Sequence, residues 1–114
     1  MAKYERSLQG DFSALLDRID LGIRKGSLSA SFEDGSDFQF GGVRCAVRVY
    51  ERYSIIGSNR VSLNVTLIGD GDQLSVSAIT SGGSQAVLIK INTFGEQAFL
   101  DQLVMVVENF IAGR

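Results

Sequence analysis

Val61, Leu63, Val65 and Leu67 alternate with Ser62, Asn64 and Thr66. A period of two is met by an extended chain with one dry and one wet face. The pattern recurs. Leu28, Ala30 and Phe32 alternate with Ser27, Ser29 and Ser31, and Leu74, Val76 and Ala78 with Ser75 and Ser77. Val43, Cys45, Val47 and Val49 alternate with Arg44, Ala46, Arg48 and Tyr50. A fifth run, Ala86 to Ile91, is almost continuously apolar and reads as a strand that is central or covered on both faces. Lys3 to Gln9 alternates as well and reads as a short edge strand. So repetitive a pattern demands a sheet.

The 114 residues contain no proline, so the turns fall to glycine, asparagine, aspartate and serine. Breaks are expected at Gly10, Gly26, Asp34-Gly35, Gly41-Gly42, Gly57-Ser58-Asn59, Gly69-Asp70-Gly71 and Ser81-Gly82-Gly83-Ser84. Such short turns make sequential strands antiparallel neighbours.

Two segments change to helical spacing. Asp11 is placed to cap a helix whose stripe is Phe12, Leu15, Leu16, Ile19 and Ile23, with Gly26 at its end. Thr93-Phe94-Gly95-Glu96 reads as a capping box opening a second helix to about Ala112. That helix carries a wide apolar arc, Phe99, Leu100, Leu103, Val106, Val107, Phe110 and Ile111. A helix lying only on a sheet needs a narrower stripe, so this one also meets the first helix or a partner subunit.

The resulting order is β-α-β-β-β-β-β-α over one domain, residues 1–114. This is an α+β fold: an antiparallel sheet of five to six strands with two helices on one face, either helix-grip-like or a two-layer sandwich. The other face is left open or paired with another chain.

Composition narrows the chemistry. There is no histidine, which removes imidazole bases and histidine-containing triads, and one cysteine allows neither an intrachain disulfide nor a CxxC site. The expectation is no cofactor, no metal and no catalytic set. A net charge of −2 gives no overall attraction to nucleic acid or to an anionic membrane. The opening Met-Ala-Lys-Tyr-Glu-Arg has no apolar region behind it, so the expected location is the cytoplasm.

The runs Gly26 to Phe38, Val43 to Tyr53, Asn59 to Leu67, Ser77 to Ala86 and Lys90 to Glu96 resemble a family of small uncharacterised bacterial proteins, a domain of unknown function. The resemblance spans most of the chain. It implies a bacterial single-domain protein and supplies no reaction or catalytic residues.

Four features carry candidate chemistry. Arg44, Arg48, Tyr50 and Arg52 share one side of a strand, and that side is read as the outward sheet face, beside Ser62, Asn64 and Thr66 of the next strand. Guanidinium groups there could fork to a carboxylate or phosphate; the plainer reading pairs them with Glu33, Asp34 and Asp37 across strands. Ser81-Gly82-Gly83-Ser84 could form an anion-binding nest of backbone amides, yet no helix follows as phosphate loops require, and a hairpin turn is the plainer reading. Asp70 with Asp72, and Asp34 with Asp37, are fragments of a calcium loop lacking its other ligands and read as turn residues. Cys45, between Val43 and Val47, reads as a core hydrophobe.

Met105 interrupts the polar face of the last helix and suggests a subunit contact. The combined reading is a non-catalytic ligand-binding or protein-interaction module, homo-oligomeric. Its ligand-binding candidates are Arg44, Arg48, Tyr50, Arg52, Asn64, Ser81, Gly82, Gly83 and Ser84, and its candidate ligand is an anionic small molecule. The alternative is a small enzyme working without histidine or metal on such a molecule through the Arg/Tyr-lined face. A third class is a structural protein whose open sheet face docks another polypeptide.

Overall fold

The computed structural model describes residues 1–54, 59–82 and 89–114. Its elements are β1 (Ala2–Gln9), α1 (Phe12–Gly26), β2 (Ser31–Phe40), β3 (Val43–Ser54), β4 (Asn59–Asp70), β5 (Gln73–Gly82) and α2 (Ile89–Ile111). The five strands form one antiparallel sheet in the order β1-β5-β4-β3-β2. β2 to β5 make a meander, and β1 returns to lie beside β5. α1 connects β1 at one edge of the sheet to β2 at the other. The α+β class and the antiparallel sheet with two helices are as the alternation dictates.

The strongest alternation sets the core. Val61, Leu63, Val65 and Leu67 of β4 and Leu74, Val76 and Ala78 of β5 are buried against Phe12, Leu15, Ile19 and Ile23 of α1 and Phe99, Leu100, Leu103 and Val107 of α2. Each large apolar side chain removed from water stabilises the fold by roughly 1.5–3 kcal/mol. Part of the remaining α2 arc meets the first helix: Val106 lies against Gly22, whereas Ile111 is exposed. A β-carbon built on Gly22 would overlap a Val106 γ-methyl, so glycine here sets how closely the helices approach.

Asp11 caps α1, accepting a 2.9 Å hydrogen bond from the Ala14 amide. The other end is held from outside, because the Gln102 side-chain amide donates to the Gly26 carbonyl at 2.9 Å. That bond satisfies one of the carbonyls a helix end leaves open. Gly71, at φ +61°, turns the chain between β4 and β5 in a conformation L side chains rarely adopt.

Four local expectations are corrected. Of the expected run Ser27 to Phe32, only Ser31 and Phe32 lie in β2; residues 27–30 precede it, and Leu28 is fully exposed. Asp34-Gly35 lies inside β2, paired with Val49 and Arg48, and the strand bulges just before it at Glu33 instead of ending. Of the expected strand Ala86 to Ile91, residues 86–88 lie outside the described residues and Ile89 to Ile91 open α2. A short apolar run satisfies strand and helix equally well. Thr93 to Glu96 therefore sits within α2, and Glu96, buried, pairs with the Met1 ammonium at 2.6 Å instead of closing a capping box.

Candidate functional site

The register of β3 on β4 reverses the expected facing of β3. Ala46 lies opposite Leu67, Arg48 opposite Val65, Tyr50 opposite Leu63 and Arg52 opposite Val61. Directly paired residues point to the same side, so the arginine stripe lies on the helix-covered face with the core of β4. Ala46 and Tyr50 are fully buried there. Val43, Cys45, Val47 and Val49 turn to the open face and are only half-buried, so Cys45 is not a core residue.

Each member of the stripe is engaged within the fold. Arg44 lies over the Phe12 ring, 4.2 Å from its centroid, and donates to the Ser13 hydroxyl at 3.2 Å. Arg48 pairs with Asp37 at 3.0 Å and donates to the carbonyls of Val47 and Ser36 at 2.9 and 3.3 Å. Tyr50 donates to Asp20 at 2.8 Å. Arg52 lies 5.0 Å from the centroid of Phe99 and donates to the Gly95 carbonyl at 3.4 Å. Burial holds its pKa below the ordinary arginine value.

The other candidates do not join this stripe. Asn64 is exposed on the open face, opposite Val49 and Ile79. Ser81 pairs with Ser62 on that same face, whereas Gly82 pairs with Val61 on the covered side. Gly83 and Ser84 lie outside the described residues. The acidic fragments behave as turn and pairing residues: Asp34 accepts from the Gly35 amide at 2.8 Å, and Asp70 and Asp72 flank the Gly71 turn.

The open face carries the unexpected feature. Cross-strand rows run Phe40–Val43–Asp70, Phe38–Cys45–Ile68, Ser36–Val47–Thr66 and Asp34–Val49–Asn64. Over β2, β3 and β4 they assemble a continuous apolar patch of Phe38, Phe40, Val43, Cys45, Val47, Val49 and Ile68. Phe40 is 81% exposed and Phe38 54%. Toward β5 and β1 the same face becomes hydroxyl-rich and charged, with Ser75, Ser77, Ser7, Lys3 and Glu5. Neither Phe38 nor Phe40 was among the candidates; their spacing of two ahead of Gly41-Gly42 is the signal that marks them, and their alignment with Val43 and Cys45 depends on the β2–β3 register.

A family model described as "Family of unknown function (DUF6054)" matches residues 1–111. Among solved structures, the crystal structure of TTHA0849 from Thermus thermophilus is similar at 9% identity and a TM-score of 0.41, over 98% of this chain and 97% of that one. No curated protein matches the chain. No helix among the described residues is long and apolar enough to cross a membrane.

Proposed function

The chain belongs to this family of unknown function, and on that premise we propose that it is a non-catalytic protein-interaction module whose working surface is the open sheet face, occupied by a second copy of the chain. The observation that carries this reading is the apolar patch on a face that neither helix covers, with two phenylalanines more than half exposed. Contiguous apolar surface of this kind marks an interaction site in a stable protein.

Size supports a second copy as the occupant. Five strands about 4.8 Å apart and about ten residues long at ~3.3 Å give a face on the order of 800 Å², and a standard interface buries about 800 Å² per partner. Two such faces stack as in a β-sandwich, apolar side chains interdigitating and the hydroxyl-rich half forming a wet rim. The molecule is also flat, 46 × 29 × 21 Å. Its surface of 6662 Å² exceeds the about 6,100 Å² that a compact monomer of this mass exposes.

Sedimentation velocity across a concentration series tests the reading, with Phe38→Asp and Phe40→Asp as variants. Both side chains are exposed, so the monomer fold should survive the change. A dimer that both variants dissociate is the expected result. A wild-type monomer at high micromolar concentration, or a dimer indifferent to both substitutions, overturns it.

The anionic-ligand reading keeps one support. Neither Arg44 nor Arg52 has a carboxylate within salt-bridge distance among the described residues. Phosphate-dependent thermal stabilisation lost in Arg52→Glu would favour it.

A further inference from the structure

On the side of the helices away from the sheet, α1 and α2 enclose a trough of about 540 Å³. This is within the range of small-molecule sites, roughly 300–1,000 Å³. Gly22, Gly26 and Val106 line it together with Leu21 of α1 and Met105 of α2. These two are 52% and 65% exposed, an apolar pair facing water across the trough. The trough lies over the point where the two helices approach most closely, at Gly22 and Val106.

Its charged lining is cationic only. Arg18 and Lys25 border it together with Gln102 and Asn109, and no carboxylate does, although the chain as a whole carries −2. Arg18 is partly committed, donating to a terminal carboxyl oxygen of Arg114 at 2.7 Å and lying 5.7 Å from the Phe110 centroid. Lys25 makes no salt bridge among the described residues. The two cations are seven residues apart on α1, about 10 Å along the helix axis.

The geometry points to a binding site for a free anionic amphiphile: one apolar chain laid along Gly22 and Val106 between Leu21 and Met105, its carboxylate headgroup held by Lys25. An apolar base with a single-sign rim selects a ligand having both parts, since the chain supplies burial and the headgroup supplies orientation. A two-fold-related second copy seated here would set a basic rim against a basic rim.

Amide chemical-shift mapping with dodecanoate below its micellar concentration tests the assignment, with dodecyltrimethylammonium as a chain of opposite charge. Saturable shifts confined to residues 18–26 and 102–109, given by dodecanoate and absent with the cation, are expected. Lys25→Glu should weaken dodecanoate about five-fold or more, and Met105→Glu should abolish the shifts with the remaining spectrum unchanged. Equal response to both amphiphiles, or no response to either, overturns the proposal. So do shifts on the open sheet face, changes at these amides on dilution alone, or binding seen only with anionic vesicles.

Discussion

One carboxylate oxygen of Asp20 accepts the hydroxyl of buried Tyr50 at 2.8 Å and the Arg24 guanidinium at 2.9 Å. Arg24 in turn lies 5.1 Å from the centroid of Phe32, whose ring meets Tyr50 edge-on at 5.8 Å. The four side chains form a closed circuit joining α1, β2 and β3. It ties the inner side of β3 to α1 and β2, and it explains how a strand carrying three arginines turns that side inward.

Removing one member of the tie measures it. Tyr50→Phe should lower unfolding free energy by about 1 kcal/mol, because Asp20 keeps Arg24. Asp20→Ala should lower it by about 1–3 kcal/mol, because the buried hydroxyl is then left unpaired. Urea denaturation of both single variants and the double variant should give a coupling energy distinguishable from zero.

Alkaline pH should loosen the fold. Burial, reinforced by Asp20, raises Tyr50 above the ordinary value of 10.0, and burial with Glu108 raises Tyr4 likewise. A folded pKa above the unfolded one means the unfolded chain gives up protons first, so stability is complete below pH 10 and declines as pH rises beyond it. Denaturant midpoints between pH 8 and 11.5 should show the decline, shallower in Tyr50→Phe than in the wild type.

On the acid side the relevant pair is Glu108 with β1. Its carboxylate accepts from the Tyr4 hydroxyl and, at 3.0 Å, from Arg6, and these bonds hold its pKa below the ordinary value. The depressed pKa contributes stability that is present above the unfolded value and lost as pH falls through the folded one. Glu108→Gln should therefore flatten the acid limb of the stability curve. It should also speed amide hydrogen exchange in β1, leaving β3 and β4 unchanged.

Helix propensity and packing oppose each other at Gly22. Alanine in a helix is favoured over glycine by about 1 kcal/mol, but the new methyl would overlap Val106. Overpacking costs typically 1–3 kcal/mol, so Gly22→Ala should be net destabilising by about 1 kcal/mol. The Gly22→Ala/Val106→Ala double variant should be less destabilised than the sum of the singles. A more stable Gly22→Ala would show that the helices can separate without loss.

Local chemistry made much of this molecule readable in advance. Asp11 caps α1, the stripe Phe12, Leu15, Ile19 and Ile23 faces the core, and β4 and β5 bury Val61 to Leu67 and Leu74 to Ala78 as their alternation demands. These outcomes depend on neighbours within a turn or two, and each segment has one clearly apolar side.

β3 lacks that asymmetry. Its valines lie on one side, while Ala46, Tyr50 and long arginine stems lie on the other, so either facing buries carbon. Pairing with β4 settles the choice, since shifting register by one residue would exchange the faces. The open-face patch of Phe38, Phe40, Cys45 and Ile68 follows from that pairing, as does the engagement of the arginines with Phe12, Asp37 and Phe99. The trough likewise needs two helices far apart in sequence, brought into contact at Gly22 and Val106. Periodicity within a segment can state that a strand has two faces; only its partners across the sheet determine which one is dry.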